Sequence, residues 1–191
     1  MASKTVLAGA GMVVLLALAA AWYAANSKGS GLLGDVHEHA DFLLYLDGQP
    51  YDFAQAKYMS AANHSLSNFV HLHDLDGKVI HKHASGITLG FFFQSLGMRF
   101  NASCFVLDSG AAYCNGKHLS MLVNGKKSGA FGDYELNDLD RILISYGNAT
   151  DTELLQQMAA VTDNACRFSE KCPERGRPPP ESSCVGGCVA E

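Results

Sequence analysis

Six of the eight histidines in this 191-residue chain fall into three His-x-His pairs: His37/His39, His71/His73 and His81/His83. Residues i and i+2 of a β-strand point to the same face, so each pair can offer two imidazoles side by side to one ion. Imidazole is the commonest neutral metal ligand, and an all-nitrogen set suits Zn(II) or Cu(II). No Met-rich or Cys-rich stretch adjoins the pairs, which argues against a dedicated Cu(I) site. The pattern predicts a transition-metal site built from His71, His73, His81 and His83, with His37 and His39 joining it or forming a second one. His64 and His118 stand alone and read as surface or core residues.

The connection between the second and third pairs decides whether they meet. Asp74-Leu75-Asp76-Gly77 fits a type I turn with Asp first and Gly in the left-handed bulge position. That turn sets His71 opposite His81, His73 opposite Val79 and Phe69 opposite His83, with all four imidazoles on one face. A two-residue Asp76-Gly77 turn would shift the register by one and send the pairs to opposite faces. In the first arrangement His71, His73 and His81 bring three nitrogens together and His83 completes a fourth position. Glu38, Asp41, Asp74 and Asp76 are candidates to orient imidazoles or to act as a general base on metal-bound water, with turn chemistry the stronger reading for Asp74 and Asp76.

The remaining pattern is α+β, a mixed or antiparallel sheet with one main packed helix. Strands are predicted over residues 40–46 and 49–53, joined by an Asp47-Gly48 turn, then over 68–74, 78–83, 104–107, 118–123 and 141–146. Residues 88–98 read as a short amphipathic helix, with Thr88 as N-cap and Gly97 at its end. Residues 151–168 read as a second helix, with Leu154, Leu155, Met158 and Val161 apolar.

The second half resembles β-grasp domains of exported proteins, on Leu122-Val123-Asn124-Gly125-Lys126, Gly132-Asp133-Tyr134-Glu135-Leu136 and Asp138-Leu139-Asp140-Arg141-Ile142. The likeness covers roughly a quarter of the chain and implies a fold, not an activity. The His-rich first half is similar to a domain of uncharacterised membrane-anchored prokaryotic proteins. His37-Glu38-His39-Ala40-Asp41 also resembles the His-x-His-x-Asp string of metallo-β-lactamase-fold hydrolases. Phe42 stands where that motif has its next histidine, and the long α/β pattern is missing.

Residues 5–25 are uncharged and mostly apolar, and about 20 such residues cross a bilayer core. With Lys4 before them, they predict an anchor that leaves the rest of the chain outside the cytoplasm; a cleaved signal peptide is the rival reading. Residues 26–35 then form a linker, 36–149 the His-rich domain, and 150–191 a helix with a Cys/Pro-rich tail. In an oxidising compartment the six cysteines read as disulfides: Cys104–Cys114, and among Cys166, Cys172, Cys184 and Cys188 two more, which proximity pairs as Cys166–Cys172 and Cys184–Cys188. The sequons at Asn63, Asn101 and Asn148 fit an exported surface. A net charge of −5 without a basic cluster argues against nucleic-acid binding.

Three functions fit. The first is a membrane-anchored extracytoplasmic Zn or Cu protein, a carrier or assembly factor that passes metal to a protein partner. The second is a Zn- or Cu-dependent enzyme with a three-His site and an open position for water. The third is a structural cell-surface protein.

Overall fold

Alternation settles the first strand. Ala40, Phe42, Leu44 and Leu46 turn to one core of the protein, while Leu43 and Tyr45 turn to a second on the opposite face. The computed structural model describes residues 31–61 and 64–178. The predicted anchor, the predicted Cys184–Cys188 bridge and the sequon at Asn63 lie outside them. Among the described residues no helix is long and apolar enough to cross a membrane.

In chain order the elements are β1 (Glu38–Leu46), β2 (Gln49–Pro50), β3 (Val70–His71), β4 (Val79–Lys82), α1 (Leu89–Ser95), β5 (Arg99–Phe100), β6 (Phe105–Val106), β7 (Ala112–Tyr113), β8 (His118–Val123), β9 (Lys126–Lys127), β10 (Arg141–Gly147), α2 (Asp151–Ala160) and α3 (Ala165–Phe168). The fold is α+β with a mixed sheet. The order is β3-β4-β1-β10-β8-β9, with β2 on β1, and the central pair β1/β10 is parallel. β5, β6 and β7 form a small separate sheet, near which Cys104 bonds to Cys114 as the sequence predicts.

α1 covers the first core. Thr88 caps it by accepting from Phe91 N, and Phe92 meets Phe42 edge-on at 5.3 Å. Gly97, at φ +76°, closes the turn that ends it. The other face also needs cover, because Leu43, Leu122 and Leu143 point there; α2 supplies Leu154 and Met158, and Val161 follows. The predicted single packed helix is therefore corrected to helices on both faces. α2 packs directly on the sheet.

Two further expectations change. The strand over 49–53 shortens to Gln49–Pro50; Tyr51 N still donates to Leu44 O at 2.8 Å, and then Asp52 turns the chain by accepting from Ala54 N. The helix over 151–168 breaks after Ala160 and resumes at Ala165. In the break, Thr162 Oγ1, Asn164 N and Ala165 N all donate to the carboxylate of Asp41, which is fully buried on β1. A buried carboxylate must have donors, and it takes them from backbone that a continuous helix would have used elsewhere.

The linker is not loose at its far end. Gly31 N donates to Ser85 O at 2.7 Å and Gly34 N to His83 O at 2.6 Å, so residues 31–35 lie on the end of the β4 hairpin.

Candidate metal centre

β3, β4 and β1 are neighbours, and their register puts His71, His81 and His39 in one row across the three strands. The adjoining row holds His37 and His83, because their neighbours Glu38 and Lys82 are paired. His73 follows two residues beyond His71, its ring 3.9 Å from that of His81. All six paired histidines lie on one face, and their rings form a continuous set. Ring centroids are 4.7 Å apart for His37/His39, 4.8 Å for His37/His83, 4.7 Å for His39/His81, 4.9 Å for His71/His83 and 3.9 Å for His73/His81.

His71 lies opposite His81 as predicted, but the connection between the two strands is different. The turn runs from His73 to Asp76, closed by Asp76 N donating to His73 O at 3.0 Å. Asp74 and Leu75 sit at φ +55° and +57°, the signature of a type I′ turn. Gly77 is needed for room instead of for a left-handed conformation: a Cβ there would lie 2.4 Å from Ala54 N.

His39, His71, His73, His81 and His83 are each at most 6% exposed, while His37 is exposed. Neighbouring groups fix how the buried rings are protonated. His73 Nδ1 lies 2.8 Å from Asp74 Oδ2, a carboxylate that can only accept, so Nδ1 carries the proton. In the neutral ring His73 Nε2 then accepts from His81 Nδ1, 3.1 Å away, and the coordinating lone pair of His81 is on Nε2. His71 Nδ1 lies 3.2 Å from the carbonyl of Ser67, which puts its lone pair on Nε2 as well. Ser169 Oγ donates to Asp138 Oδ1, so at 2.8 Å from His39 Nδ1 it must accept, with the same result for His39. Outer partners that hold Nδ1–H and present Nε2 are the usual companions of metal-bound histidine.

Residues 162–172 cross the histidine face as a strap. Its near end is held by Asp41 and its far end is closed by the Cys166–Cys172 disulfide, as predicted. Phe168 on the strap stands edge-on to His81 at 4.9 Å and lies 5.6 Å from His39. One nitrogen from each of His37, His39 and His81 lies within 4.8 Å of the others. Zn–N bonds of about 2.0–2.1 Å put tetrahedral ligand nitrogens about 3.3 Å apart, so modest side-chain rotation would close this set on an ion.

The first pair therefore joins the hairpin, one of the two arrangements the sequence allows for His37 and His39, and a three-donor set forms with His81. The reason is geometric: β1 lies beside β4 in the sheet, so the first pair reaches the middle row directly. His73 is occupied at both nitrogens as the partner that orients His81.

Of the four candidate carboxylates, Asp74 lies against an imidazole, 2.8 Å from His73 Nδ1. Glu38 lies on the other face, 2.7 Å from Lys82 Nζ; Asp41 anchors the strap; Asp76 accepts from Lys78 N. Burial pushes the Asp41 carboxyl up from its ordinary value, and its three donors oppose that rise. His118 is exposed on β8, two strands away from β1, and His64 is exposed in a loop.

Ser67, Asp138, Phe168 and Ser169 were not legible as site residues. Ser67, Phe168 and Ser169 lie in segments with no motif, Asp138 belongs to a string read only for its fold, and Ser169 reaches His39 from 130 residues along the chain. Comparison of the chain with protein-family models, curated proteins and solved structures gives no match.

Proposed function

We propose that this protein is a membrane-anchored, extracytoplasmic Zn- or Cu-binding domain on a β-grasp-like sheet, which carries metal or hands it to a protein partner. The observation that carries this reading is the convergence of His37, His39 and His81, with His39 and His81 held by outer partners in the form that presents Nε2. The anchor rests on residues 5–25, and the location on that segment together with the disulfides Cys104–Cys114 and Cys166–Cys172. Exposed His37 gives the site an outer edge from which an ion can be loaded or passed on.

Binding is favoured over catalysis by the commitments of the carboxylates. A metal hydrolase needs a base aimed at bound water. Here Asp74 holds His73, Asp41 holds the strap, and Asp138 accepts from Ser169. Ser169 does not act as an activated nucleophile, because its proton goes to Asp138 and it accepts from His39.

The test is elemental analysis of the full-length chain, purified without an affinity tag, beside a His39→Ala/His81→Ala variant. At least one equivalent of Zn or Cu is expected in the native protein and a sharp fall in the variant. A metal-free native protein that also fails to take up added Zn or Cu would end the proposal.

A further inference from the structure

The strap over the histidine face ends in a piece of chain too short to hold its own shape. α3 has four residues, well below the length at which a helix is stable by itself. It closes in a left-handed turn: Lys171 N donates to Cys166 O at 2.8 Å, Glu170 N donates to Arg167 O at 3.2 Å, and Glu170 sits at φ +52°. That position favours glycine, so a glutamate there works against the turn. The Cys166–Cys172 bond spans the same turn and holds its two ends together.

What this turn carries matters to the site. Ser169 Oγ lies 2.8 Å from His39 Nδ1, and the Phe168 ring stands 4.9 Å from that of His81. One loop thus supplies the outer partner of one donor ring and the cover of another. The start of the strap has a separate hold, because Asn164 N and Ala165 N donate to Asp41. Breaking the disulfide therefore frees residues 166–172 about a fixed start. The bond is also open to attack. Cys166 is half-buried while Cys172 is 8% exposed. Arg175 Nη1 lies 3.3 Å from Cys166 Sγ and donates to Asp163 O at 2.9 Å, so a cation is held against the sulfur. There it stabilises the negative charge that develops as an S–S bond breaks.

We infer that the Cys166–Cys172 disulfide is a redox latch on the metal centre: closed, it retains the ion, and reduction by a protein dithiol releases it. A thiolate of the dithiol bonds to Cys166 Sγ, and Cys172 Sγ leaves with the electron pair of the broken bond and takes a proton. The second sulfur of the dithiol then bonds to the first, and Cys166 Sγ leaves beside Arg175 and takes a proton. The cysteines gain two electrons and two protons, and the dithiol becomes a disulfide. The inference rests on the metal-binding reading above, but it fails separately from it.

Oxidised full-length protein loaded with Zn(II) is mixed with a chromophoric chelator, beside Cys166→Ser/Cys172→Ser and Cys104→Ser/Cys114→Ser variants. Release should be about 10–100-fold faster in the first variant, the worth of an outer partner of a ligand, and unchanged in the second. Amide hydrogen exchange in the metal-free first variant should rise at residues 166–172 and stay slow along β1. Equal release rates, or unchanged exchange in the strap, overturn the latch and leave the proposed function standing. Equally fast release from the Cys104→Ser/Cys114→Ser variant overturns it too, as general loosening. A native protein that takes up neither Zn(II) nor Cu(II) overturns both readings. Should the first variant fail to fold, loaded native protein is reduced with a phosphine and its thiols are alkylated at intervals. Release in step with labelling of Cys166 and Cys172 supports the latch, and release at the oxidised rate with both labelled refutes it.

Discussion

One face of the sheet is finished in two ways. Over β1, β10 and β8 it carries Leu43, Leu143 and Leu122 beneath α2; over β1, β4 and β3 it carries His39, His81 and His71 beneath the strap. Both halves are buried and both are covered by the C-terminal segment. The apolar half asks only for shape, because hydrophobic burial has no direction. The histidine half asks for a partner at each polar atom, and it draws them from Ser67, Asp74, Asp138 and Ser169. The lesson is that the apolar half is organised for stability and the polar half for a defined arrangement of lone pairs.

This contrast can be broken at either side. The largest effect belongs to His81→Ala, which removes the ring shared by the row of three and touching His73. Metal affinity should fall by more than about 100-fold, since even outer partners of a ligand are worth about 10–100-fold. Competition titration measures it, and an unchanged affinity would detach the site from His81.

Leu143→Ala strikes the apolar half instead. It should cost about 2–5 kcal/mol in denaturant unfolding of the apo protein while leaving metal stoichiometry intact. Asp41→Asn falls at the boundary of the two halves. An amide in place of the carboxylate cannot accept from Thr162, Asn164 and Ala165 as fully, so stability should drop by about 1–3 kcal/mol. The strap should also exchange amide hydrogens faster around Phe168. Ser169→Ala sharpens the comparison from the other side: about a 10–100-fold loss of metal affinity with little change in the unfolding midpoint.

The smallest effect lies at the start of α2, remote from the metal. Thr150 and Glu153 form a capping box, and hydrogen bonds from Thr150 N and Oγ1 hold the Glu153 carboxyl below its ordinary value. A carboxyl lowered on folding adds stability above its unfolded pKa and loses that contribution as pH falls through the folded value. Glu153→Gln should therefore flatten part of the acid limb of the stability profile without altering metal uptake.

Much of the architecture was legible because it follows from local pattern. The alternation in β1, the Thr88 cap and the Asp47-Gly48 and Asn124-Gly125 turns are encoded within a few residues, and the turn glycines sit at φ +80° and +79° as that chemistry requires. The hairpin register was also foreseen, although Asp74 and Leu75 carry the turn by adopting positive φ. Less legible was the break in the helix at 161–164. Its cause, Asp41, is more than a hundred residues earlier, and periodicity within a helix cannot report a distant acceptor.

The chain by itself determined that six imidazoles are spaced to share strand faces, and that the segments carrying two of the three pairs fold back on each other as a hairpin. Those are consequences of the two-residue period of a strand and of local turn chemistry. Only the tertiary structure decided that β1 lies beside β4, that nitrogens of His37, His39 and His81 come within 4.8 Å of one another, and that Phe168 and Ser169 lie against His39. Strand order and long-range hydrogen bonds depend on which surfaces meet in space, and no short window of sequence contains that information.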